Sequence, residues 1–265
     1  MTAKPTIGII GGAGWLGSAI ARSMLDAGFV EPSRLVLSSR SGAGLAGWPD
    51  VACLADNRAL TARADVVILS VRPAQFAGID IDASGKLMIS VMAGVTAVAI
   101  AAQTGATRIV RAMPNAAAEI GKSYTPWFAG DAVSVADKAL VQQLFETCGM
   151  ADEVFSEAHI DYLTGLTGSG PAFPALFAQA MLEHARKRGL PENVAKRGVK
   201  AVITGAAGLL AADNVSMEET VRTFLDYRGT TAAGLRGMID SGLADAVGAG
   251  LDAAETAARA MAQAR

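Results

Sequence analysis

Thr6-Ile7-Gly8-Ile9-Ile10-Gly11-Gly12-Ala13-Gly14-Trp15-Leu16-Gly17 is the stretch that decides the fold. A short β-branched run, Thr6–Ile10, leads straight into a Gly-x-Gly-x-x-Gly turn, and a helical period follows from Trp15 to Ala27. In this reading Gly12 allows the tight turn, Gly14 lets the backbone approach a pyrophosphate, and Gly17 lets helix and strand pack closely. Ala13, Trp15 and Leu16 complete the turn. The anion would lie on the free N–H groups of the helix start, where the dipole favours negative charge. Glycines alone also serve ordinary turns. Here the strand before, the helix after and the pattern downstream all agree on a dinucleotide-binding turn.

Working outward, the first half alternates strands and helices. Arg34–Ser38, Val51–Leu54, Asp65–Val71, Leu87–Met92 and Arg108–Ala112 read as further strands, continuous in apolarity as parallel strands buried on both faces are. Helices are expected over Asn57–Ala64, Thr96–Gln103 and Val133–Cys148. Such alternation predicts an α/β Rossmann fold, a doubly wound parallel sheet. From Ser156 onward only helical periods appear, among them Ala172–Arg188 and Ala195–Ala212. Two domains are therefore expected: 1–155 for the dinucleotide and 156–265, all helical, for substrate and dimerisation.

Composition narrows the class. The chain has 265 residues, 51% hydrophobic and 18% charged, which excludes disorder and supports a sizeable core. Its apolar stretches are broken by Gly or charge well short of the ~20 residues a membrane span needs. The opening segment lacks the apolar region and cleavage site of a signal peptide, so a cytoplasmic protein is expected. A net charge of −2 offers no footprint for nucleic acid. Cys53 and Cys148 make neither a disulfide framework nor a metal spacing. A small-molecule substrate is what remains.

The identity of the dinucleotide is read about 20 residues past the turn, where an NAD site carries an acid for the ribose hydroxyls. This chain has Ser38-Ser39-Arg40-Ser41 there. Hydroxyls beside a guanidinium suit a 2′-phosphate, which points to NADP; the alternative is a solvated loop arginine. Two further strands end on the same edge, at Val71-Arg72-Pro73 and at Met113-Pro114-Asn115. Asn115 would serve the nicotinamide or its ribose, or else form a turn. In the helical half, Gly-Ser169-Gly-Pro breaks the chain before a long helix. Gly229-Thr230-Thr231 sets N–H groups and two hydroxyls together at a helix start, a ready place for a carboxylate but also an ordinary cap.

Together the stretches IGIIGGAGWLGSAI, DVVILSVRP, ISVMAGV, RIVRAMPN, LTGSGPAF, KRGLP and RGTTAAGL resemble the pyrroline-5-carboxylate reductases, in family order and over nearly the whole chain. The resemblance implies reduction of a cyclic imine, pyrroline-5-carboxylate, to proline, the last step of proline biosynthesis, with NADPH. It implies that Asn57 and the Arg40 loop meet the adenosine side, that Val71–Pro73 lies along the cofactor, and that Ala93, Gly94 and Met113–Asn115 border the nicotinamide. Thr230 and Thr231 would hold the substrate carboxylate, and the helical domains would pair into a homodimer or larger assembly. Arg72 stands where the family usually has Lys, and Asp226-Tyr227-Arg228 where it usually has Ser-Pro-Gly, which leaves the exact imine open.

A protonated imine accepts hydride without a strong acid, so catalysis can rest on placement. His159 and His184 lie in helical segments, and the catalytic group is left unassigned, with Thr231 and Ser169 as candidates. A β-hydroxyacid-dehydrogenase-like enzyme, the rival class, needs a Lys four residues after the last Gly of Gly168–Gly170. Pro174 occupies that place. Outside enzymes the rival is an NADP-binding regulatory protein, which NADPH consumption with an imine would exclude.

Overall fold

The apolar runs become strands because both of their faces find cover. In the computed structural model, which describes residues 4–40, 42, 44–212 and 215–263, eight strands form one sheet. They are β1 (Ile7–Ile10), β2 (Leu35–Ser38), β3 (Ala52–Leu54), β4 (Val66–Leu69), β5 (Leu87–Ser90), β6 (Arg108–Ala112), β7 (Ser123–Ala129) and β8 (Gly149–Glu153). Their spatial order is β3-β2-β1-β4-β5-β6-β7-β8, and every pair is parallel except β6 with β7. Ile7, Ile9, Leu35, Leu37, Val66 and Ile68 feed the core on one face. Ile10, Val36, Val67, Leu69 and Met88 feed the other. A period of two with both phases apolar is the signature of a sheet buried on both sides.

Between the strands run α1 (Trp15–Asp26), α2 (Asn57–Arg63), α3 (Ala97–Thr104) and α4 (Val135–Glu146). Local chemistry sets their starts. Asp56 caps α2, Thr96 caps α3, and Ser134 with Asp137 forms a reciprocal capping box on α4. The α1 N-terminus has no side-chain cap, only Gly14.

The sequence reading did not anticipate β7 and β8. Pro126 interrupts β7, and a proline inside a run argues against a central strand. It is tolerated because the ladder with β6 ends at Ala112–Trp127 and only the Pro126 carbonyl is used beyond it, accepting the Met113 N–H at 2.9 Å. In β8 only Ala151 is buried, so no apolar pattern announces it.

After β8 the chain is helical, as α5 (Glu157–Leu163), a π-turn (Thr164–Gly168), α6 (Ala172–Lys187), α7 (Glu192–Leu210), α8 (Met217–Asp226), α9 (Thr230–Asp240) and α10 (Leu243–Gln263). Two compact units result. The first is Met1–Ser169 with Ala253–Arg265, and the second is Gly170–Asp252. Strand patterning thus ends near residue 155, while α5 and the π-turn still belong with the sheet.

Within the second unit α6 packs on α7. Ala178, Met181, Leu182 and Ala185 make the half-buried face of α6. Phe173, Leu176 and Phe177 make a second apolar stripe, exposed by 37%, 66% and 39%. No side chain of α6 is buried, and in α7 only Ala195 is.

Candidate active site

The strand order reverses between β1 and β4, so their outgoing turns flank a crevice at the C-terminal edge of the sheet. Open α/β sheets bind ligands at such a point. Gly11 has φ +79°, a left-handed conformation that glycine adopts freely, and a Cβ there would lie 2.3 Å from the Ser70 carbonyl oxygen. The tight-turn role expected of Gly12 therefore falls one residue earlier. Gly12 instead faces β2, where a Cβ would lie 2.7 Å from Leu37, and its N–H donates to the Ser38 carbonyl at 3.0 Å. Gly17 closes the motif as expected, since a Cβ would meet the Gly11 carbonyl oxygen at 2.6 Å. Ala13 and Gly14 are exposed, Leu16 packs on the core, and the uncapped start of α1 faces outward beside them. The Trp15 indole N–H donates to the Glu119 carboxylate, across the turn. Free N–H groups, missing side chains and a helix dipole suit a pyrophosphate.

Past β2, the Ser39 N–H donates to the Leu54 carbonyl at 3.1 Å, and Arg40 is exposed immediately after it. Ser41 lies outside the described residues. Asn57 sits beside the same edge, because the Ser38 hydroxyl donates to its Oδ1 at 2.7 Å. An edge bearing hydroxyls and a guanidinium, with no acid at the sequence position an NAD site uses, fits a 2′-phosphate. Val71 is half-buried against Gly11, the Arg72 N–H donates to Gln75 Oε1 at 3.2 Å, and Pro73 starts a 3₁₀ turn. Arg72 itself is exposed.

Past β5, Ala93 and Gly94 form the turn into α3, with Gly94 at φ +66°. Past β6, Met113 and Pro114 are buried. Both ends of the Asn115 amide are engaged within the protein: Oδ1 accepts the Ala117 N–H at 2.9 Å and Nδ2 donates to the Thr167 carbonyl at 3.0 Å. Asn115 thereby acts as a brace between the β6 turn and the π-turn. The Ser169 hydroxyl closes the π-turn on the Thr164 carbonyl at 3.2 Å.

In the second unit Gly229, at φ +110°, precedes α9, whose N-terminus carries no side-chain cap. Thr230 and Thr231 are exposed there. Arg228 has φ +56° and is the one non-glycine in the left-handed region among the described residues. His159 lies in α5 and His184 in α6. Burial pushes the Cys148 thiol up, so it stays protonated and inert. Among the described residues no group of three His, Cys, Asp or Glu could hold a metal ion, and no helix is long and apolar enough to cross a membrane.

Sequence reasoning passed over Gly11 and the buried Arg111. An arginine within an otherwise apolar strand was the available signal, because arginine is almost never fully buried unless paired.

Fold and edge together define a Rossmann-type NAD(P)-dependent oxidoreductase with a helical C-terminal region. A family model described as NADP oxidoreductase coenzyme F420-dependent matches residues 6–94, and one described as pyrroline-5-carboxylate reductase dimerisation matches 157–261. The chain is 31% identical to pyrroline-5-carboxylate reductase 2 of Bacillus subtilis, over 91% of this chain and 89% of that one. It is 29% identical to pyrroline-5-carboxylate reductase 3 of Macaca fascicularis, over 97% and 96%. The solved pyrroline-5-carboxylate reductase of Coxiella burnetii superposes with a TM-score of 0.87 at 28% identity, covering 98% of this chain and 99% of that one. The Plasmodium falciparum pyrroline carboxylate reductase, solved with NADP bound, shares the fold with a TM-score of 0.83 at 23% identity, covering 97% and 98%. The chain belongs to the pyrroline-5-carboxylate reductase family.

Proposed function

We propose that this chain reduces pyrroline-5-carboxylate to proline with NADPH, as a homodimer in the cytoplasm. The observation that carries the reading is the crevice at the β1–β4 switch point, with its glycine turn and its Ser39-Arg40 edge, in a chain that matches the family from end to end. Bound NADPH supplies the hydride. The Gly12–Gly17 turn and the α1 N-terminus hold the pyrophosphate, Ser39, Arg40 and Ser41 take the 2′-phosphate, and Asn57 borders the adenosine. Val71, Arg72 and Pro73 lie along the dinucleotide. Ala93, Gly94, Met113 and Pro114 wall the nicotinamide from water, with Asn115 bracing that wall. Gly229, Thr230 and Thr231 take the substrate carboxylate on N–H and O–H donors. The ring nitrogen arrives protonated from solution, so the chain needs no strong acid, in keeping with the absence of either histidine from these segments. Catalysis is placement of the reacting carbons.

Pairing of two copies is supported by α6, which buries no side chain of its own within one chain, as an interface helix would.

The deciding experiment is NADPH oxidation against a panel of cyclic imino acids, with keto and hydroxy acids as controls. Turnover of pyrroline-5-carboxylate alone among five- and six-membered rings is expected, and turnover of the hydroxy acids only would replace the reading. Arg228 favours a second reading, a related ring with another substituent. Its left-handed backbone costs about 1–2 kcal/mol, a strain that tends to persist at functional sites.

Two variants test the assignments. Arg40→Asp should abolish the preference for NADPH over NADH, a change of about 1.5–3 kcal/mol for a lost charge-assisted hydrogen bond. Equal kcat/KM for both cofactors in the parent chain would remove the basis for it. Thr231→Ala should raise KM for the imino acid about 10- to 150-fold, which is roughly 1.5–3 kcal/mol, and leave NADPH affinity alone. An unchanged KM would put the carboxylate elsewhere.

A further inference from the structure

Arg111 is the largest fully buried side chain among the described residues, 1% exposed in the middle of β6. Its neighbours Val110 and Ala112 point into the core on one face, and Arg111 reaches α5. Nη1 donates to Glu157 Oε1 at 2.9 Å and Nη2 to Asp161 Oδ1 at 3.0 Å. The two carboxylates sit four residues apart, so the planar fork of one guanidinium spans a full turn of α5.

The cluster does not end there. Glu157 Oε1 also accepts the N–H of Ala97, the first residue of α3, at 2.8 Å. That residue follows the Ala93–Gly94 turn. Further along, α5 runs into the π-turn, and the π-turn returns to β6: Asn115 donates to Thr167, and a Cβ on Gly168 would lie 3.1 Å from Met113 Cγ. The segment 111–115 and the segment 157–168 are thus fastened to each other at both ends, by Arg111 at one and Asn115 at the other. The β5 turn is pinned to the same clamp.

Stability alone does not account for such a device. A buried ion pair is often no better than apolar residues of the same volume, because desolvation offsets the attraction. Here the Arg111 Nε–H lacks a partner, the one such buried side-chain atom among the described residues. What arginine offers over an apolar side chain is a fixed distance between two carboxylates.

We infer that Arg111, acting through Glu157 and Asp161, is a positioning residue for hydride transfer, holding the Ala93–Gly94 and Met113–Asn115 turns in register with the π-turn. This rests on the function proposed above, in which those turns wall the nicotinamide. The test uses the full-length chain and two variants, Arg111→Lys, which keeps the charge but loses the fork, and Glu157→Gln, which keeps shape at a side chain 29% exposed. Displacements of about 1 Å near reacting atoms cost on the order of 100-fold. Arg111→Lys should therefore lower kcat roughly 10- to 100-fold, with the NADPH dissociation constant within about threefold of the parent. The primary isotope effect with 4-deuterated NADPH should rise as the hydride step becomes limiting. Without any substrate, hydrogen exchange should quicken at residues 93–97, 113–118 and 164–169 and nowhere else in the sheet unit. Glu157→Gln should shift the same readouts in the same direction, and it decides the matter if Arg111→Lys does not fold. Variants with a lowered Tm but the parent's kcat and isotope effect would reduce the cluster to a structural one and overturn the inference. A parent chain that oxidises NADPH with no cyclic imine fails the functional reading itself, before any variant is made.

Discussion

Gly11→Ala is expected to lose measurable NADPH binding and to melt roughly 10 °C below the parent chain. Two costs coincide at this position. An L-residue in the left-handed region costs about 1–2 kcal/mol. The new methyl would also sit 2.3 Å from the Ser70 carbonyl oxygen and 2.9 Å from its carbon. Those atoms are backbone, held by the parallel pairing of β1 with β4, and the Ser70 N–H in turn donates to the Ile10 carbonyl. Nothing at the end of a flexible side chain can yield. Overpacking of this kind costs about 1–3 kcal/mol, and the sum of roughly 2–5 kcal/mol corresponds to a fall of about 4–20 °C for a chain of this size. Binding should suffer more than folding, because parting the two turns that flank the crevice relieves the strain and would move the α1 N–H groups from the place proposed for the pyrophosphate. Calorimetry and a fluorescence titration with NADPH check both halves. Gly78→Ala is the control, since a Cβ there meets nothing within 4 Å. Parent-like affinity in Gly11→Ala would mean that the dinucleotide does not use this turn.

Leu176→Asp combined with Val202→Asp should convert the protein to a monomer and abolish turnover. Leu176, on the α6 stripe with Phe173 and Phe177, is 66% exposed within one chain, and Val202 in α7 is 52% exposed. Burying the part of such side chains still exposed contributes about 1–2 kcal/mol apiece. In a twofold assembly each substitution acts twice, so about 4–8 kcal/mol is lost before the cost of confining four carboxylates. Light scattering at micromolar concentration reads the outcome. A variant that stays dimeric would place the interface on other surfaces, and a parent that is itself a monodisperse monomer would remove the dimer from the proposal.

What the sequence made legible follows from how each feature is encoded. The glycine turn is local: strand, break and helix lie within a dozen residues, and the free α1 N-terminus follows from Gly14 standing where a capping side chain would be. The strands β1, β2, β4 and β5 are also local, since burial on both faces leaves a near-continuous apolar run. β8 is not, because Ala151 is its one buried residue and its sequence, Gly-Met-Ala-Asp-Glu, carries no apolar run. Asn115 shows the limit most clearly. Sequence presents an asparagine after a strand, which reads equally as a ligand contact or a turn, and the partner that occupies its amide, Thr167, is 52 residues away. Arg111 is the same case, with partners 46 and 50 residues downstream. Groups whose role is set by partners distant in the chain are invisible to periodicity.

The sheet unit is discontinuous: Ala253–Arg265 belongs to it, with Ala258 only 2% exposed. On the ribosome the last strand, ending at Glu153, is made 253 − 153 = 100 residues before this final piece begins. At about 5–20 residues per second, that is a wait of roughly 5–20 s. Through that interval the nascent chain carries a finished sheet whose unit still lacks its last helical piece, and the unit is complete only once that part of α10 has been made.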